Sequence, residues 1–200
     1  MKTYLIKIFA GLGCLISITA CKKYLDVKPV DKILLPQIFS TETGIKSAIN
    51  GVYLTLGGTS LYGGNLTMST VDVIAQRYNL SAFNHSWTQY GAYNYNDVFV
   101  RNSFNVIWSD SYKQILNLNI FIQQLKQSTG ILSESNARLL RGEAYGLRAL
   151  LHFDLLRLFG PVYSVNSTAP AIPYYIQPQT QRGIILPANV VMQKVLADLD

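Results

Sequence analysis

The sequence predicts a mostly α-helical protein in which long antiparallel helices are separated by long loops. Over 133–161, Leu140, Ala144, Leu147, Leu151, Leu155 and Leu158 recur at steps of three and four, which lines them up in one stripe of a single helix. A second stripe over 104–122 holds Phe104, Ile107, Trp108, Tyr112, Ile115, Leu118 and Ile122. Only a few residues join the two, so they are expected to fold back on each other as a hairpin.

Composition bounds the rest. Two hundred residues, 49% apolar and 14% charged, suffice for one domain with a real core and argue against disorder over most of the chain. Without Lys2 and Lys7, which fall in a segment read below as a removed leader, 15 basic and 11 acidic residues remain, a net +4. Charge so small and scattered reads as a solvated surface and gives no footprint for nucleic acid.

Residues 1–20 have a short basic start, an apolar run from Ile8 to Leu15, and small or polar residues up to Ala20, the layout of a secretory signal peptide. The run is interrupted too soon for a membrane span. Ile18-Thr19-Ala20-Cys21 resembles the bacterial lipobox, in which the cysteine thiol takes a diacylglyceryl group before cleavage makes it residue one. Cys14 matches less well, because Gly11 stands three positions before it. The plainer alternative is that Cys21 stays a free or disulfide-bonded thiol, but once Cys14 leaves with the leader no partner cysteine remains in the chain. Residues 21–38 are then the lipidated cysteine and a polar, Pro-containing tether, and 39–200 the folded part.

Ser40 or Thr41 caps the first helix, which carries Ile45, Ala48, Ile49, Val52, Tyr53 and Leu56 on one face and ends at Gly57-Gly58. Gly51 inside it costs about 1 kcal/mol relative to Ala, and a close helix contact would explain it. Periodicity fails over 59–104. Within 83–108 there are eight aromatics and five asparagines, and Asp97 and Arg101 carry the only formal charges. So long an irregular segment in a small domain is usually functional, and its rings argue against disorder. Asn102 or Ser103 is expected to cap the next helix, which ends near Gly130. Asn119 on its face should bond to backbone or to a neighbouring helix. Ser133 or Ser135 caps the helix over 133–161, with Gly160 as a left-handed cap and Pro161 as the stop. Arg138, Arg141, Glu143, Arg148 and Arg157 lie mostly off its stripe. Four prolines make 163–187 extended or looped, and Pro187 starts a last helix with Val190, Val191, Met192, Val195, Leu196 and Leu199.

Several of these strings resemble one family. Glu143, Leu147, Arg148, Ala149, Phe153, Leu155, Arg157, Phe159 and Gly160 match the signature helix of the SusD/RagB-like outer-membrane nutrient-binding lipoproteins, although Pro161-Val162 reverses the usual Val-Pro. Leu25-Asp26 with Pro29, Asn50 to Tyr53, the set Trp108, Tyr112, Ile115 and Asn119, and Asp198-Leu199 fit the same family. The resemblance implies irregular tetratricopeptide-like helical repeats with long loops. The 33-residue interval from Trp108 to Arg141 agrees, although the strict repeat motif is missing. It also implies a lipid-anchored protein facing outward from an outer membrane. Such a protein captures an oligosaccharide or other polymer fragment, a peptide included, and passes it to a SusC-like TonB-dependent transporter. On this reading the chain is an N-terminal piece covering well under half of such a protein.

The chemistry of the residues points the same way. His85 and His152 have no second ligand at metal spacing, and there is no phosphate loop, nucleophile elbow or dinucleotide fingerprint, so neither metal nor cofactor is expected. Asp72, Asp97 and Asp110 near the aromatic segment are the one candidate for a glycosidase-type acid pair, at an ordinary density of carboxylates. What remains is binding: Tyr and Trp offer flat apolar faces to sugar rings, and Asn amides both donate to and accept from hydroxyls. Trp87, Tyr90, Tyr93, Asn94, Tyr95 and Asn96 are therefore the candidate glycan platform, against the alternative that several of them pack into a core. A helical scaffold for protein partners and a surface glycoside hydrolase are the competing functions.

Overall fold

Thr41 turns the chain into its first long helix. After a single turn, α1 (Leu35–Ile38), its side-chain oxygen accepts the backbone N–H of Gly44 and opens α2 (Glu42–Leu56). The computed structural model describes residues 35–80 and 87–200, and the residues from Pro36 onward form one unit. The expected leader over 1–20 and Cys21 with its tether up to residue 34 lie outside the described residues. Helix α2 buries Ile45, Ile49, Val52 and Leu56, while Tyr53, expected on the same stripe, faces solvent. Gly51 is not a site of close contact: a methyl group added there would touch nothing within 4 Å, and nothing in the structure explains the glycine.

Helix α3 (Thr70–Ile74) and helix α4 (Trp87–Gly91) are short turns in the stretch where periodicity fails. The next long helix, α5 (Val98–Gln127), begins several residues before the expected cap at Asn102 or Ser103. Asp97 is the actual cap, its Oδ1 accepting from Phe99 N at 2.9 Å and Val100 N at 3.2 Å. Val98, Phe99 and Val100 fall in the stretch read as irregular, but the carboxylate satisfies two orphan donors and lies at the positive end of a helix about 45 Å long. Asp97→Ala is expected to cost about 1 kcal/mol and to fray the helix to the level of Asn102. Thermal unfolding and faster amide exchange at Val100 and Arg101 are the readouts, and unchanged exchange would contradict the cap.

Ser133 caps α6 (Glu134–Phe159) by accepting from Asn136 N at 3.3 Å. The left-handed glycine of this hairpin is Gly130, at φ +80°, between α5 and α6. Gly160 was expected in that role but is extended, at φ −89° and ψ 174°. Glycine is needed there for a different reason, since a Cβ would stand 2.5 Å from the Leu156 carbonyl oxygen. Beyond it a two-stranded antiparallel pair, β1 (Pro170–Ile172) and β2 (Leu186–Pro187), closes the loop that leads into α7 (Ala188–Leu199).

Helix α6 is the central element, packed on both α5 and α7, while α2 packs on α5 and reaches α6 through the bond from Asn136 to Glu42. The main core runs through this stack and includes Ile45, Ile107, Leu118, Leu151, Leu155 and Val191. Burying each such side chain contributes about 1.5–3 kcal/mol. Trp108 and Tyr112 pack against it as expected, the indole edge-on to Phe159 at 4.8 Å. None of the described helices is long and apolar enough to cross a membrane.

Arg148 departs most from the sequence expectation. Placed off the stripe by its charge, it is only 4% exposed. Its Nε and one terminal nitrogen fork onto the two carboxylate oxygens of Asp198 in α7, at 2.7 and 2.5 Å. The other nitrogen reaches Asn119 Oδ1 in α5 at 2.7 Å and the Ile176 carbonyl at 3.3 Å. Asn119 in turn donates to the carbonyls of Tyr175 and Gln177, so its expected backbone and interhelical bonds are both present. A buried charge persists only when it is paired and hydrogen-bonded, and here each of the three guanidinium nitrogens has a partner.

Candidate functional site

The stretch between α2 and α5 has its own small core of Val73, Tyr90 and Val100, edged by Ile74, Leu80, Trp87 and Phe104. Tyr90 is its pin. Only 6% exposed, it donates to the Phe99 carbonyl at 3.0 Å and, its one proton so used, accepts from the Ser103 hydroxyl at 2.7 Å. It therefore offers no ring face to a ligand and leaves the expected platform. A phenol with a paired hydroxyl suits such a core, which is the alternative weighed for these residues. Trp87 is half-buried, its ring 4.7 Å from that of Tyr90, and belongs chiefly to the same core.

The other four candidates stand in solvent. Tyr93 is 48% and Tyr95 54% exposed, and Asn94 and Asn96 are exposed beside them. Three of them are also held in place. Tyr93 adopts φ +54°, an uncommon conformation for a side chain this large, and its hydroxyl donates to the Ile74 carbonyl at 2.9 Å. Asn94 donates to Gln89 Oε1 at 2.8 Å, and the Tyr95 ring meets Phe104 edge-on at 5.4 Å. Strained backbone fixed by surrounding bonds is a common feature of binding surfaces.

A groove of about 680 Å³ adjoins this run, lined by Gln76, Arg77, Tyr78, Asn79, Thr88 and Gly91 among others. Gln76 bridges its two walls by donating to the Gly91 carbonyl at 2.7 Å. Tyr78 adds another exposed ring, its hydroxyl directed to the Met68 carbonyl at 3.3 Å. Gln76, Tyr78 and Asn79 were not among the sequence candidates. The same clustering of aromatics with amides would have found them had the window begun a few residues earlier.

Two of the three candidate acids, Asp97 and Asp72, have other duties, while Asp110 lies half-buried within α5. Asp97 caps α5, and Asp72 faces Arg77 at 3.6 Å. Among the described residues no three His, Cys, Asp or Glu side chains gather as a metal site. His85 lies outside the described residues. His152 is fully buried, its Nδ1 bonded to the Arg148 carbonyl and its Nε2 accepting the Tyr175 N–H.

Comparison with known proteins places this geometry. A family model of SusD-like proteins, described as "Starch-binding associating with outer membrane", matches residues 23–200. SusD-like protein P2 of Formosa agariphila is 24% identical over 192 residues, which is 92% of this chain and 35% of that protein. SusD-like protein P25 of the same organism is 24% identical over 208 residues, or 100% of this chain and 37% of that one. The crystal structure of a SusD superfamily protein from Bacteroides fragilis superposes with a TM-score of 0.67 at 27% identity, covering 80% of this chain and 38% of its own. Another, from Bacteroides thetaiotaomicron, gives 0.61 at 23% identity over 79% and 36%, and shows likeness of fold. The chain spans little more than a third of the length of these relatives.

Proposed function

The chain belongs to the SusD-like family, and from that membership we propose that it is the part of a surface-anchored binding protein that captures oligosaccharide on the Tyr93 to Asn96 run. The carrying observation is that Tyr93 and Tyr95 present their rings to solvent while their other edges are pinned to the Ile74 carbonyl and to Phe104. A ring that is already immobile loses little side-chain entropy when a sugar stacks on it. Asn94, Asn96 and the amides of Gln76 and Asn79 supply the hydroxyl-bonding groups around it. The protein is not proposed to catalyse a reaction. Cys21 is the anchor, acylated on an outer membrane with the folded part outside, and the recipient of the ligand is a TonB-dependent β-barrel of the SusC type.

Titration of the full protein with a panel of neutral oligosaccharides and short peptides tests the reading. Tyr93→Ala and Tyr95→Ala are each expected to weaken oligosaccharide binding about tenfold, the scale of one lost aromatic contact. Tyr90→Phe should alter stability and leave affinity unchanged. Full affinity in both alanine variants would remove the platform, and binding of peptides alone would reassign the ligand. Capture of a large β-barrel from detergent extracts, and loss of membrane attachment in Cys21→Ser, test the partner and the anchor.

A further inference from the structure

A second groove, of about 580 Å³, is walled by α5 and by the loop 173–185. Its floor is a row of rings: Trp108 stands 4.8 Å from Tyr112, and Tyr112 meets Tyr175 edge-on at 5.4 Å. The loop is braced at many points. Tyr112 donates to the Pro173 carbonyl at 2.9 Å, and Asn119 holds the carbonyls of Tyr175 and Gln177. The Tyr175 hydroxyl accepts from Gly183 N at 2.7 Å, where any Cβ would strike the phenol ring at 2.8 Å. The wall is therefore preformed, and its volume is that of a small-ligand site.

Charge distinguishes this groove from the first. Lys113 on the helix and Arg182 on the loop line it from its two walls, both exposed, and no carboxylate lines it. Neither cation has an ion-pair partner among the described residues. Gln179 and other loop amides supply neutral donors and acceptors between them. We propose that this groove is a second saccharide subsite, selective for anionic sugars whose carboxylate or sulfate is held between Lys113 and Arg182 while a ring stacks on Trp108 and Tyr112. It rests on the saccharide-capture reading for the class of ligand, but on different residues. A planar guanidinium paired with a point-charge ammonium suits a carboxylate or sulfate, and the sugar would shield the pair from solvent.

The experiment is calorimetric titration of the full chain with three trisaccharides of equal length: one of uronic acids, one sulfated, one neutral. The charged ligands are expected to bind at least tenfold more weakly in Lys113→Gln/Arg182→Gln than in the parent, with affinity that falls as salt rises. Lys46→Gln/Arg138→Gln, which removes an equal charge beside Glu42 on α2 and Glu134 on α6, should leave their binding unchanged. Preference for the uronate or for the sulfate identifies the anion. No binding of either, or equal binding in the double variant, overturns the groove. Loss of neutral-sugar binding alone would instead overturn the role of Tyr93 and Tyr95 and leave this subsite standing.

Discussion

Arg148→Met is expected to destabilise the fold by about 3–5 kcal/mol, the cost of stranding the partners of a buried ion pair. For a unit of this size that is a fall in Tm of about 10 °C. The methionine fills the volume of the stem but leaves both oxygens of Asp198 with one donor, the Tyr174 hydroxyl at 2.6 Å, and leaves Asn119 Oδ1 with none among its present partners. Arg148→Lys keeps the charge and loses the fork, so it should fall between the two. The double change Arg148→Met/Asp198→Leu should recover most of the loss, because replacing both charges removes the uncompensated one. Urea unfolding of the parent, Arg148→Met, Asp198→Leu and the double variant closes the cycle. A single methionine variant within 1 kcal/mol of the parent would mean that water already solvates the pair.

The same hub marks the limit of what the sequence could tell. Arg148, Asn119 and Asp198 each appear in a string shared with the family, but nothing local says that the three converge. Their separations of 29 and 50 residues are bridged only once α5, α6 and α7 stack. By its charge Arg148 reads as surface, and tertiary pairing overrides that. Helix limits were legible where the signal is local: Thr41, Ser133 and Pro187 stand where the elements begin. They were missed at Asp97, where a β-branched and aromatic run hid the cap. The membership of SusD-like proteins and the mostly helical repeat fold were readable from the signature helix. Within the candidate platform, Tyr90 and Tyr95 are the same residue type five positions apart, and one is buried while the other is 54% exposed. No periodicity distinguishes them, because the partners of Tyr90, Val73 and Val100, come from separate elements.

Acid should loosen the molecule at one identifiable residue. The bonds of His152 define its proton: Nδ1 must donate to the Arg148 carbonyl, and Nε2 must accept from Tyr175 N at 3.2 Å, so only the neutral ring fits. Burial is the main reason its pKa falls to about 4; the neighbouring Arg148 charge lowers it further, and the bond to the Arg148 carbonyl and the charge of Asp198 oppose the shift. The ring also lies flat on Tyr174 at 3.7 Å, leaving no room for water. Because the folded value lies below the unfolded one, the contribution is complete above about pH 6.5 and declines as pH falls through 6.5 towards 4, while the unfolded chain alone takes up the proton. Between pH 7 and pH 5 the expected loss is about 2 kcal/mol. His152→Gln should be less stable throughout but flat across that window. A parent curve without slope there would mean that the ring protonates in place. Protonation would set an Nε2–H against the Tyr175 N–H and push away the start of the loop that walls the second groove. Binding of a sulfated sugar should therefore weaken as pH falls through about 4.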